Sequence, residues 1–256
     1  MPGLGFRTGL SFRPEWLEEP VRPEEPVRTP DQILGANLAV WLNAQRSTIT
    51  SSGGRVSQIA DISGNARHFT QPTATKQPLE TTRGDKPALY FDRSRLDFIA
   101  RANWGLSAPC LWLVVMDWAD GSATDRAAVF TRDYDPGTST NWFIGLNGAS
   151  AGANSLRFSD QQQSPHIHSF TADPTGRAAW IINHGTGNSY IRKAGMQLVA
   201  SDHGAGFTQD YDFMVGADSW GMATTMYLHE LVIATGDYDA NAVAELETYA
   251  ASEWGL

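Results

Sequence analysis

Cysteine is nearly absent from this chain: Cys110 is the only one in 256 residues. That excludes a disulfide framework and a Cys-ligated metal site. Its place in the apolar run Cys110–Val115 reads as a buried small hydrophobe. Lysine is also scarce, with three against sixteen arginines, a bias we assign to genome composition rather than to chemistry. The net charge of −9 and a pI near 5.1 argue against a nucleic-acid partner, because phosphate binding needs clustered cations. No apolar stretch reaches the roughly 18 residues that a spanning helix requires. The opening residues MPGLGFRTGL have neither a long apolar core nor a small-residue cleavage site. They do not read as a signal peptide, and the expected place of synthesis is a cytoplasm. There is no Asn-x-Ser/Thr sequon.

Glutamate is missing where a glycosidase would need it. Between residues 26 and 244 only Glu80 and Glu230 occur, whereas glycoside hydrolysis takes two carboxylates flanking the scissile bond. No Glu-x-Asp-x-x-Glu strand is present, and Glu230 has no acidic residue two or four positions away. Glu230 therefore reads as a structural hydrogen-bonding carboxylate. Asp117 with Asp120, and Asp210 with Asp212, stand at expected strand ends, where turn duty is commoner. Gly-x-Ser-x-Gly, Walker and His-Glu-x-x-His motifs are all absent. His166-x-His168 has a two-ligand spacing on one strand face. No third ligand is suggested by the sequence, so the pair reads as satisfied or solvated histidines.

What the chain does have is strand periodicity. Short β-branched and aromatic runs recur at Ala88–Phe91, Leu111–Trp118, Ala127–Thr131, Trp142–Leu146, Ser155–Phe158, His166–Thr171, Ala178–Ile182, Tyr211–Val215 and Met226–Ala234. Gly, Asn, Asp and Pro clusters separate them, the pattern of an antiparallel sandwich or barrel. Ala39–Leu42 is an earlier core segment. Thr29-Pro30-Asp31 predicts a helix start, with proline at the first position. At the other end, Val243, Leu246, Ala250 and Trp254 share one face of a helix with Asp239 as its N-cap.

Residues 1–30 form a different kind of segment. Glu18–Pro23 (EEPVRP) is nearly repeated by Glu24–Pro30 (EEPVRTP). Frequent proline favours an extended arm over a packed core. Leu4, Phe6, Phe12 and Trp16, helped by Leu10 and Leu17, are its apolar anchors for a partner chain. The expected organisation is an arm over 1–30 and a sandwich domain over 31–256.

Four stretches of that domain resemble the concanavalin A-like lectin/glucanase superfamily, in particular its laminin-G-like domains from bacterial and phage surface proteins. Ala39–Ala44 (AVWLNA) is similar to the family's first strand, with Asn43 in place of an Asp. Arg55–Phe69 (RVSQIADISGNARHF) resembles its W-x-D-x-S-G-N turn, with Ile59 in place of the Trp. Lys86–Asp92 (KPALYFD) and the closing strand and helix of Leu228–Leu256 complete the match. The resemblance implies an all-β antiparallel jelly-roll sandwich with a C-terminal helix. It is nearly silent about chemistry. Asp61, Ser63, Gly64 and Asn65 read as a structural turn.

Nine tryptophans are many for this length. Trp41, Trp112 and Trp180 lie in apolar runs and read as core, while Trp104, Trp142 and Trp220 adjoin polar segments. Exposed aromatics stack on sugar C–H faces, so Tyr134, Asn141 and Trp142, with Asp218 and Trp220, are the candidate glycan surface. Some laminin-G-like domains bind calcium. Asp133, Asp135, Asp160, Asp202 and Asp218 lie in expected loops, but their spacing identifies no metal or cofactor site.

The resulting expectation is a non-enzymatic, lectin-like virion protein of a phage or phage-like particle, a tail fibre or tip or a head decoration. Its arm would join it to other virion proteins, as a homo-oligomer, and its sandwich would face host polysaccharide. The alternatives are a glycan-degrading enzyme on the same fold and a decoration protein without ligand. The lack of a signal peptide disfavours a secreted lectin.

Overall fold

The computed structural model describes residues 26–102, 106–107, 109–119, 126–131, 142–147, 155–160, 166–171, 176–184, 189–201, 208–209, 213–217 and 223–256. The predicted anchors Leu4, Phe6, Phe12 and Trp16 lie outside them, as do the loop residues Tyr134, Asn141, Asp218 and Trp220.

A short helix α1 (Pro30–Leu34) precedes the first strand, β1 (Leu38–Asn43). Pro30 takes its first position, and the backbone N–H of Thr29 donates to Gln32 Oε1 at 2.9 Å. The strands that follow are β2 (Ile49–Ser52), β3 (Arg55–Ile59), β4 (Phe69–Thr70), β5 (Leu79–Arg83), β6 (Lys86–Phe91), β7 (Ile99–Arg101), β8 (Leu106–Ser107) and β9 (Cys110–Trp118). Next come β10 (Arg126–Thr131), β11 (Trp142–Asn147), β12 (Ser155–Asp160), β13 (His166–Thr171), β14 (Gly176–His184), β15 (Ser189–Lys193) and β16 (Met196–Ser201). The chain closes with β17 (Thr208–Gln209), β18 (Phe213–Val215), β19 (Met226–Thr235) and α2 (Ala240–Trp254). Every strand pairing described is antiparallel.

The pairings form a sandwich. One layer runs β1–β19–β9–β14–β15–β16, with β6 and then β5 continuing it beside the first half of β19. The other runs β13–β12–β11–β10–β18–β7–β4–β3–β2. Strand β9 is the centre, buried at all nine positions, because it is covered on both faces. Its even-numbered side chains, among them Trp112, Val114 and Met116, meet Val56, Ile59, Phe69, Ile99 and Phe213 of the opposite layer. Its odd-numbered Leu111, Leu113 and Val115 meet Val243, Leu246, Tyr249, Ala250 and Trp254 of α2. Asp239 caps that helix by accepting from Ala242 N at 2.9 Å, and Gly255 ends it in the left-handed region.

The antiparallel sandwich, the closing helix and its cap are as the sequence pattern implies. So are the buried Trp41, Trp112, Trp180 and Cys110. Burial pushes the Cys110 thiol up to about 12, so it stays protonated. Two readings need correction. Asp117 is inside β9 and 4% exposed, not a turn residue. Asp160 is the last residue of β12, opposite His166, rather than a loop residue.

Candidate functional site

Glu230 accepts four side-chain hydrogen bonds on the helix-facing side of the sheet. A bulge lets one residue of β9, Val115, oppose both His229 and Glu230, so the face pattern of β19 reverses there. Met226 and Leu228 face the sandwich interior before it, and Leu231 and Ile233 after it. Glu230 is thereby turned under α2 and is fully buried. Its Oε1 accepts from Trp41 Nε1 at 2.6 Å, Asn43 Nδ2 at 2.9 Å and Tyr249 OH at 2.7 Å, and its Oε2 accepts from Trp254 Nε1 at 2.6 Å. Burial pushes the carboxyl above its ordinary value, and these four donors oppose the shift. The same burial, with the Glu230 charge, raises the Tyr249 phenol. A carboxylate sealed this way ties β1, β19 and α2 together and offers no face to a substrate.

The Asp61 turn is equally structural. Asp61 Oδ1 accepts from the N–H of Trp41 and of Ser63 at 2.9 Å, and Oδ2 from Ser63 Oγ and the Arg67 N–H at 2.9 Å. Asn65 Nδ2 donates to the Leu38 carbonyl at 2.7 Å. The motif thus satisfies the free edge of β1. Gly64 and Ala66 carry the positive φ angles, 90° and 54°.

The sequence-derived glycan residues are not assembled among the described residues: only Trp142 falls on a described element, opening β11 opposite Thr131. His166 and His168 stand on β13 opposite Asp160 and Phe158. Among the described residues no three His, Cys, Asp or Glu cluster as a metal site.

A polar row that the sequence did not single out does assemble. Register places Leu79, Tyr90, Tyr227, Asp117 and Arg177 directly opposite one another across β5, β6, β19, β9 and β14. They share the face that α2 covers, two residues along β9 from Val115, past the last turn of the helix. The Tyr90 and Tyr227 rings are half-buried, with centroids 4.9 Å apart. The Arg83 guanidinium lies over Tyr227 at 4.7 Å, and its Nε donates to Asp117 Oδ2 at 2.6 Å. Arg177 reaches Asp85 at 3.6 Å. His229 packs on Trp254 with ring centroids 5.2 Å apart, and its Nδ1 is 2.8 Å from the Pro87 carbonyl, which makes it the protonated nitrogen. Only the cross-strand register, fixed by the bulge, shows these residues to be neighbours.

Burial holds the His229 imidazole below its ordinary 6.5. The folded state prefers the neutral ring, so the unfolded chain binds more protons between that depressed value and about 6.5. Stability contributed by His229 is present above this window and is lost as pH falls through it. Asp97 and Glu230, both raised by burial, act with the opposite sign. The difference between wild type and His229→Gln isolates the histidine. Urea unfolding at about pH 7.5 and about pH 5.5 should show a smaller acid loss in the variant.

A separate groove of about 510 Å³ lies between the β1–β2 turn and the β5–β6 hairpin, lined by Gln45, Ile49, Glu80, Thr81, Thr82 and Pro87 among others. It contains no aromatic ring, and Glu80 accepts from Ser51 Oγ at 2.8 Å. It lacks a stacking platform.

No family model matches the chain, and no curated protein matches it. Solved structures share its fold. The binding domain of Paraclostridial Mosquitocidal Protein 1 aligns with TM-score 0.60 and 11% identity over 83% of this chain and 52% of that one. Trypanosoma rangeli sialidase, in complex with the inhibitor DANA, aligns with TM-score 0.59 and 9% identity over 84% of this chain and 33% of that one. Domain 4 of AbnA, a GH43 extracellular arabinanase from Geobacillus stearothermophilus, in complex with arabinotriose, aligns with TM-score 0.60 and 11% identity, covering 82% of this chain and 98% of that one. The chain therefore spans about half of the mosquitocidal domain and a third of the sialidase. At these identities the likeness establishes the fold alone, an antiparallel β-sandwich.

Proposed function

We propose that this chain is a non-catalytic carbohydrate-binding sandwich, carried on a phage or phage-like particle by its N-terminal arm. The observation that carries the carbohydrate reading is the alignment with nearly the whole of an arabinanase domain solved with arabinotriose. Absence of catalysis is supported by the two mid-chain glutamates: Glu80 is engaged by Ser51, and Glu230 is sealed under α2. Attachment rests on the proline-rich repeat and the apolar residues Leu4, Phe6, Phe12 and Trp16, since buried aromatic anchors commonly dominate interfaces.

Calorimetric titration with neutral oligosaccharides, arabinotriose among them, should give saturable binding without release of reducing ends. Reducing-end release would replace this reading with the enzymatic one, and no binding to any glycan would favour a purely architectural role. Deleting residues 1–28 should leave binding intact and remove the protein from its particle. Normal incorporation of the truncated chain would place attachment on the sandwich instead.

A further inference from the structure

The polar row past the end of α2 contains three buried atoms without a protein partner: Asp117 Oδ1, Arg177 Nε and His229 Nε2. Asp117 is 4% exposed and His229 fully buried. Such orphans are costly, and a fold that gathers them on neighbouring residues leaves their bonding capacity for something else. Asp117 and Arg177 are direct cross-strand partners. Asp117 stands opposite Tyr227, two residues along β19 from His229, and holds the Arg83 guanidinium at 2.6 Å, so the register gathers the four groups. With Nδ1 donating to Pro87, His229 Nε2 is an acceptor. The set is thus two acceptors and one donor.

We propose that this end of the outer face is a subsite for a neutral sugar, an inference that rests on the carbohydrate-binding reading above. A hydroxyl both donates and accepts. With Arg83 displaced, one hydroxyl would donate to Asp117 Oδ1 while accepting from Arg177 Nε–H, and a neighbouring one would reach the deeper His229 Nε2 through a bridging water. The half-buried rings of Tyr90 and Tyr227 supply the apolar face that sugar C–H groups require. Charge selects the ligand class. Arg83 and Arg177 are balanced by Asp85 and Asp117, the imidazole is neutral, and Lys86 Nζ is held by the Glu253 carbonyl at 2.9 Å. With both guanidiniums already paired to carboxylates, the row favours an uncharged polyol over an anionic sugar. Arg83, whose side chain is 46% exposed, spans Tyr227 and Asp117 and would have to swing aside to admit the sugar.

The test titrates wild type, Asp117→Asn and Tyr227→Ala with a panel of neutral trisaccharides, arabinotriose included, and with a sialylated trisaccharide. Each variant's fold is verified by thermal unfolding. Wild type should prefer the neutral sugars. Asp117→Asn should weaken binding at least tenfold, and Tyr227→Ala should abolish it. Wild-type binding that survives both substitutions but is lost in Trp142→Ala overturns this subsite and leaves the carbohydrate reading standing. No binding by wild type overturns both. Should a variant unfold, a crystal of the wild-type chain soaked in the best trisaccharide decides the matter: sugar against Tyr227 supports the subsite, and an ordered water alone among the three atoms overturns it.

Discussion

Glu230→Gln is expected to destabilise the fold by about 2–4 kcal/mol, although it removes only a charge and keeps the shape. The four groups around the carboxylate are all donors. The amide of a glutamine has one acceptor oxygen. If that oxygen faces Trp41, Asn43 and Tyr249, the amide N–H₂ confronts Trp254 Nε1–H. If it turns, three donors confront the amide. Either way at least one buried donor loses its partner, at about 1–3 kcal/mol, together with the charge-assisted strength of those that remain. Tyr249→Phe removes one donor and leaves the carboxylate three, so it should cost only about 1 kcal/mol. Urea unfolding at neutral pH checks both, through the midpoint at constant slope. Equal stability of wild type and Glu230→Gln would mean that the carboxyl is already protonated in the fold, and that the knot under α2 is not anionic.

The same residue marks how far the sequence could be read. That Glu230 is structural follows from its isolation among acidic residues. That Trp41, Asn43, Tyr249 and Trp254 converge on it does not, because three elements meet there through long-range pairing. Strand β9 was legible because seven consecutive apolar residues, Cys110–Met116, form an unbroken run at its start. Helix α2 was legible from its apolar spacing and Asp239, apart from Tyr249, whose hydroxyl masks its membership of the buried face. Strands β2, β5 and β16 gave no such signal. Ile49–Ser52 is mostly exposed and Leu79–Arg83 is half-exposed, so neither carries apolar alternation, and both are held by backbone pairing to neighbours. The row from Tyr90 to Arg177 was invisible for a related reason. Each member sits in an otherwise ordinary strand, and the bulge at His229 sets which residues align.

Gly216→Ala is expected to cost about 3–5 kcal/mol, adding backbone strain to overpacking. Gly216 follows β18 with φ at 101°, a conformation that side-chain-bearing residues rarely adopt. A Cβ built there would lie 2.2 Å from Phe91 Cδ1 and 2.6 Å from the Asp97 carbonyl oxygen. Neither neighbour has room to yield. Phe91 is fully buried in the core between the two layers. Asp97 is fully buried too, held by Arg55 at 3.3 Å and by Arg95 and the Asp92 N–H at 3.2 Å. The Gly216 carbonyl in turn accepts from Thr224 N at 3.0 Å, so the loop cannot swing outward without losing that bond. The expected result is a lower urea midpoint with an unchanged slope. Combining Gly216→Ala with Phe91→Leu should cost less than the sum of the two single substitutions, because the smaller side chain removes the ring contact. The carbonyl contact and the positive φ remain, so the rescue should be partial. A loss below about 1 kcal/mol for Gly216→Ala alone would show that the chain relaxes here, and that this approach of β18 to the Phe91–Asp97 segment is not a fixed point of the sandwich.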